Sequence, residues 1–148
     1  MEKRQGHYLE DLQVGMTATY SKTVTDADIV LFAGISGDSN PVHIDHEFAK
    51  DTMFKGRIAH GMLTASFIST VLGTRLPGPG CIYVSQNLKF RAPVRIGDTV
   101  RTRVTVTSLD PQSRRVAFET TCSVGDTVVI SGEAVLLVQK RPVQQAAE

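Results

Sequence analysis

Between Gly61 and Thr74 the chain runs for 14 residues without one charged side chain. Met62, Leu63, Ala65, Phe67, Ile68, Val71 and Leu72 fall all around a helical wheel, so a helix here has little face to give to water and must be wrapped by other elements. The remainder of the chain supplies the wrapping. Pro77-Gly78-Pro79-Gly80 breaks the backbone, and beyond it the apolar period changes from 3.6 to 2. Val100, Thr102, Val104 and Val106 alternate with Arg101, Arg103, Thr105 and Thr107, and Val116, Phe118, Thr120 and Cys122 alternate with more polar neighbours. Ile82 to Phe90 and Val128 to Val138 complete four long strands, joined in part by turns at Gly97-Asp98, Asp110-Pro111 and Gly125-Asp126. An antiparallel sheet wrapped around a helix from Gly61 to Leu76 buries that helix most simply, which predicts an α+β fold. At 148 residues the chain is one domain, large enough to bury a real core.

The N-terminal part reads as a helical turn at Tyr8 to Leu12, a turn at Gly15 and a short strand from Thr17 to Val24. Thr25 is an N-cap, with Asp26 and Asp28 in a first turn where the helix dipole favours negative charge. That helix runs to about Ser36 and is closed by Gly37. Asp38-Ser39-Asn40-Pro41 is turn chemistry that forces an extended entry to the next segment, and a second short helix is expected near Asp45 to Lys50. The tail from Val143 to Glu148 is expected to fray.

Sixteen basic against fifteen acidic side chains leave no global field to draw in nucleic acid or an anionic membrane. Cys81 and Cys122 are too few for a disulfide framework and lack zinc-ligand spacing, which fits a reducing compartment. The N-terminus is polar and no uncharged stretch is long enough to span a bilayer, so the expectation is a soluble, cytoplasmic protein.

The densest chemistry lies in Asp38-Ser39-Asn40-Pro41-Val42-His43, where a carboxylate and an imidazole sit five residues apart across a turn stiffened by proline. Both side chains can face one cavity as an acid/base pair without a nucleophile. The plainer alternative is that Asp38 caps the turn and His43 is an ordinary surface histidine. Gly61 opens the apolar helix, so its N–H is an orphan donor at the positive end of the dipole, and its missing side chain lets a carbonyl approach. A glycine needed only for packing is the alternative there. His60 is read as structural, its ring projecting away from that amide.

These residues resemble the signature of the MaoC-like, or hydratase 2, family, the R-specific enoyl-CoA hydratases of the hotdog superfamily. The resemblance continues through Ala59-His60-Gly61-Met62-Leu63, Gln86-Asn87-Leu88-Lys89-Phe90, Pro93-Val94 and Gly97-Asp98, nearly the whole chain in order. It is nearest to the short bacterial hydratases that supply R-3-hydroxyacyl-CoA for polyhydroxyalkanoate. The resemblance implies a hotdog fold, with Asp38 and His43 as the catalytic dyad and Asn40 shaping the turn between them. It implies that the Gly61 amide binds the acyl carbonyl, and that Ser69, eight residues further on, turns its hydroxyl to the same cavity. Ser69 bonding its own helix carbonyl remains open, as does which dyad member is the acid. No metal or redox cofactor is implied, and two subunits are expected to join their sheets into a homodimer, or a dimer of dimers, with the acyl-CoA site at the interface.

Lys89, Arg91, Arg95, Arg101 and Arg103 cluster within 15 residues, opposed only by Asp98. Such a patch suits the phosphates of coenzyme A. A solvated sheet face is the alternative, and RNA binding is disfavoured because Phe90 is the only aromatic in the run. Three other activities remain open on this reading: a dehydratase of carrier-protein thioesters, a thioesterase, and a non-catalytic acyl-CoA-binding module.

Overall fold

The computed structural model describes residues 5–142, and the tail expected to fray lies outside the described residues. A 3-10 turn at Leu9–Asp11 precedes β1 (Thr17–Thr23), α1 (Asp26–Ser36), α2 (Pro41–Ile44), α3 (His46–Ala49) and α4 (Gly61–Thr74). Strands β2 (Ile82–Phe90), β3 (Thr99–Asp110), β4 (Arg115–Val124) and β5 (Thr127–Leu137) follow. The five strands form one antiparallel sheet in the order β1-β3-β4-β5-β2. This is the α+β architecture that the switch from helical to alternating periodicity predicts, and the arrangement implied by the hotdog resemblance.

The sheet and α4 bury each other. Leu63, Phe67, Ile68, Val71 and Leu72 of α4 share a core with Val100, Val104, Phe118, Ile130 and Leu136, while the intervening Arg101 and Arg103 stay exposed. The helix is not covered all round, however: Met62, Ser66 and Ser69 form an exposed stripe along it. It also ends at Thr74, two residues short of the expected Leu76. Leu76 precedes Pro77, and the proline ring disfavours helical backbone in the residue before it.

Local signals in the first half act as their chemistry dictates. Thr25 accepts from the Asp28 N–H while Asp28 accepts from the Thr25 N–H, and Gly37 closes α1 in the left-handed region at φ 79°. Asn40 is extended before Pro41, as expected, but the chain then turns at once into the unforeseen α2. The Asn40 side chain accepts from the Val42 N–H, and proline's fixed φ suits a first helical position. Asp45 caps α3 through the Phe48 N–H, which trims the expected helix to His46–Ala49.

Strand β2 is an edge of the sheet, and Ile82, Tyr83, Val84 and Phe90 on it are all exposed. Its partner β5 comes unusually close: a Cβ on Gly132 would lie 2.0 Å from the Asn87 carbonyl oxygen, so only glycine fits there. Among the described residues no helix is long and apolar enough to cross a membrane.

Candidate active site

The turn after α1, the α2 turn and the N-terminus of α4 meet beside the end of β2 around a cleft of about 560 Å³. Asp38, His43, His60, Gly61, Thr64 and Arg91 all line it. The segment entering α4 is pinned on both sides, by the Ile58 N–H to the Val42 carbonyl (3.3 Å) and the Ala59 N–H to the Val94 carbonyl (2.7 Å).

Asp38 follows the left-handed Gly37, and its Oδ1 accepts from the Asn40 N–H at 3.2 Å. It therefore caps the turn and lines the cleft at once. Asn40 spends its own side chain on capping α2, the turn-shaping part expected of it. His43 rides on α2 and is 9% exposed. Its Nδ1 lies 2.8 Å from the Ile58 carbonyl oxygen, which can only accept; Nδ1 therefore carries the proton and Nε2 the free lone pair. Burial pulls the imidazole below its ordinary value of 6.5, partly offset by the Ile58 carbonyl; His60 lowers it further and Asp38 raises it. From behind, Arg57 holds the same turn, its Nε donating to the His43 carbonyl at 2.6 Å and its guanidinium pairing with Asp26 at 2.7 Å.

Gly61 is the first residue of α4, ahead of the helical ladder, and no backbone acceptor among the described residues takes its N–H. His60 goes further than the expectation. Its ring makes no bond to the helix cap, but it also lines the cleft, 2% exposed, with its centroid 3.9 Å from that of His43, so it is more than a structural neighbour of Gly61. Sequence alone placed it beside Gly61; only the folded turn stacks it on His43.

Ser69 is not brought to the cleft. Eight residues turn about 80° past Gly61 on an ideal helix, and Ser69 stands on the exposed stripe of α4. The hydroxyl that does reach the cleft is Thr64, three residues after Gly61, buried and without a hydrogen-bond partner. The basic cluster also divides. Arg91 lines the cleft and donates from Nε to Ser131 Oγ at 2.7 Å. Lys89 is exposed in a register row that runs through Ser131, Thr121 and Arg103, placing it on the outer face of the sheet. Arg95 is committed to the Phe54 carbonyl at 2.6 Å and tethers the loop beneath it.

The ligand-capable atoms of Asp38, His43 and His60 lie within 4.8 Å of one another. The two imidazoles lie against each other at an interplanar angle of 30°. Burial raises both thiols above their ordinary value, which leaves Cys81 and Cys122 protonated and poor nucleophiles.

The sequence pattern of the MaoC like domain matches residues 11–134. The chain is 59% identical over 135 residues to the (R)-specific enoyl-CoA hydratase of Rhodospirillum rubrum, covering 91% of this chain and 94% of that one. It is 55% identical over 134 residues to the 3-hydroxybutyryl-CoA dehydratase of Methylorubrum extorquens, covering 90% and 85%. The unliganded R-hydratase PhaJ1 of Pseudomonas aeruginosa superposes with a TM-score of 0.87 at 39% identity, over 97% of this chain and 94% of that one. Agreement of this extent, in sequence and in fold, spans the cleft and the elements that build it, and the chain belongs to the MaoC-like domain family.

Proposed function

We propose that the chain is a hydro-lyase that adds water reversibly, with syn geometry, to trans-2-enoyl-CoA thioesters and forms the R-3-hydroxyacyl product. The observation that carries this reading is the meeting of Asp38, the lone-pair Nε2 side of His43 and the acceptor-free Gly61 N–H around one cleft. The names of the relatives agree with it.

Water held by Asp38 and His43 attacks C3 of the enoyl group as the dyad takes one of its protons. The electron pair of the double bond moves onto the thioester oxygen, where the Gly61 N–H meets the developing charge. A proton from the dyad then adds to C2, so the proton taken from water equals the proton returned to carbon. The free lone pair and lowered affinity for protons suit His43 to the part of base. Water addition leaves the overall oxidation level unchanged and calls for no redox cofactor.

Arg91 at the cleft suits the phosphates of coenzyme A, while Lys89 stands on the outer face of the sheet and Arg95 serves the loop. A second copy of the chain suits the exposed β2 edge and the stripe of α4, giving a homodimer. Free thiols at Cys81 and Cys122 fit the reducing cytoplasm. The test is loss of enoyl absorbance with crotonyl-CoA and longer enoyl-CoA thioesters, followed by chiral analysis of the product. Release of free thiol instead would mark a thioesterase, and tight binding without absorbance loss a binding module.

A further inference from the structure

His60 holds the N-cap position of α4, yet its side chain makes no capping bond. The ring turns into the cleft. Its Nε2 lies 2.9 Å from the Asp38 carbonyl oxygen, which can only accept, so Nε2 is the protonated nitrogen. The ring also lies against His43, with Phe32 packed at a centroid distance of 4.9 Å. His60 Nδ1 is buried and has no hydrogen-bond partner. A residue kept only for packing would do as well with an apolar ring and no orphaned nitrogen.

The neighbours of His43 show what that ring contributes. Ile58 fixes its edge through Nδ1, and Arg57 fixes its backbone carbonyl. Neither covers its face. His60 covers it, and through Nε2 the same ring tethers the backbone of Asp38. One side chain thus touches both members of the acid/base pair and is covalently joined to Gly61.

We infer that His60 is a positioning residue, which fixes the Asp38 turn by its Nε2–H bond and sets the orientation and hydration of the His43 imidazole by stacking on it. The consequence for catalysis rests on the hydratase reading; the consequence for His43 does not. The charged or titratable groups against His43 are Asp38 from the turn after α1, His60 before α4 and Arg57 at its carbonyl; Arg91 lines the same cleft with its Nε held by Ser131.

Two substitutions separate the two contacts. His60→Gln can keep a donor for the Asp38 carbonyl while losing the ring, so water reaches His43 and its proton affinity rises toward the ordinary value. His60→Phe keeps the ring and loses the donor, so His43 still titrates low while the Asp38 turn is freed. For His60→Phe, kcat on crotonyl-CoA should fall about 10- to 100-fold with KM little changed, the scale of loss expected when a reacting group is misplaced by about 1 Å. For His60→Gln, the acid limb of kcat/KM should move to higher pH.

Titration of His43 by NMR in wild type and both variants needs no activity. It tests the positioning even if the wild type hydrates no enoyl thioester, which would sink the hydratase reading alone. Phe keeps an aromatic face with a somewhat larger ring and removes the orphaned nitrogen; the melting temperatures of both variants are measured first, and the His60→Gln titration stands by itself as a test of the positioning if His60→Phe does not fold. A His43 titration unmoved in His60→Gln, together with wild-type kcat in His60→Phe, would overturn the inference and leave His60 a packing residue.

Discussion

A Cβ placed on Gly61 would lie 2.6 Å from the ring of Phe90, so any side chain at the helix N-terminus must push aside the ring at the end of β2. Substitution at Gly61 therefore has two effects, displacement of Phe90 and any change to the N–H. In a Phe90→Ala background the first is relieved. There Gly61→Ala should hydrate crotonyl-CoA near the rate of Phe90→Ala alone. Gly61→Pro, which removes the N–H, should lose about 10² to 10³ in kcat. His60 has ψ 135°, an extended backbone that a following proline accepts. Equal rates in the two double variants, measured at matched melting temperatures, would take the thioester oxygen away from this amide.

Asp38→Asn and His43→Gln should each lower kcat by about 10² or more, since a positioned acid or base contributes about 10² to 10⁴. Crotonyl-CoA binding, measured by calorimetry, should stay within a few-fold of wild type. Near-normal turnover in either variant would remove that residue from the dyad.

The buried imidazole sets the expected pH dependence. His43 binds protons less tightly folded than unfolded, so the neutral form persists below pH 6.5 and the acid limb of kcat/KM should lie below that value. Stability carries the same sign. The contribution of His43 is fully present above pH 6.5 and is lost as pH falls through its lower folded value, because the unfolded chain then binds the extra proton. Melting temperatures measured on the acid side of pH 6.5 should fall less steeply in His43→Gln than in wild type.

Arg91 and Arg95 should part company. Arg91→Ala should raise KM for CoA substrates more than it lowers kcat, and should blunt the weakening of binding by salt, since phosphate contacts are alike in ground and transition states. Arg95→Ala frees the Phe54 carbonyl and should show first as a lower melting temperature. A salt response unchanged in Arg91→Ala would place the phosphate site on another surface.

What could be read in advance divides by the range of the interaction. The uncharged run from Gly61, the alternation in β3 and β4, and the Thr25 and Gly37 caps are local or periodic signals, and the structure follows them. The four-residue α2 is too short to register as a period; its signal was the Asn40 cap followed by Pro41. For Ser69 the helical phase misleads, because about 80° is enough to carry a side chain from the cleft to the exposed stripe. Two residues needed tertiary partners to be understood: His60, whose partner rings come from α1 and α2, and Arg95, whose acceptor lies 41 residues away at Phe54.

The exposed β2 edge has a consequence for how this protein behaves on dilution. The strand ends in Phe90, and Phe90 and the Arg91 that follows form one wall of the cleft. On the homodimer reading, the order of that wall depends on a second chain, and mass action then ties activity to protein concentration. Specific activity should fall as the enzyme is diluted through its dissociation constant and return on concentration. The same unpaired row of N–H and C=O groups makes the dissociated chain prone to non-native strand pairing, so long storage at low concentration should lose activity irreversibly.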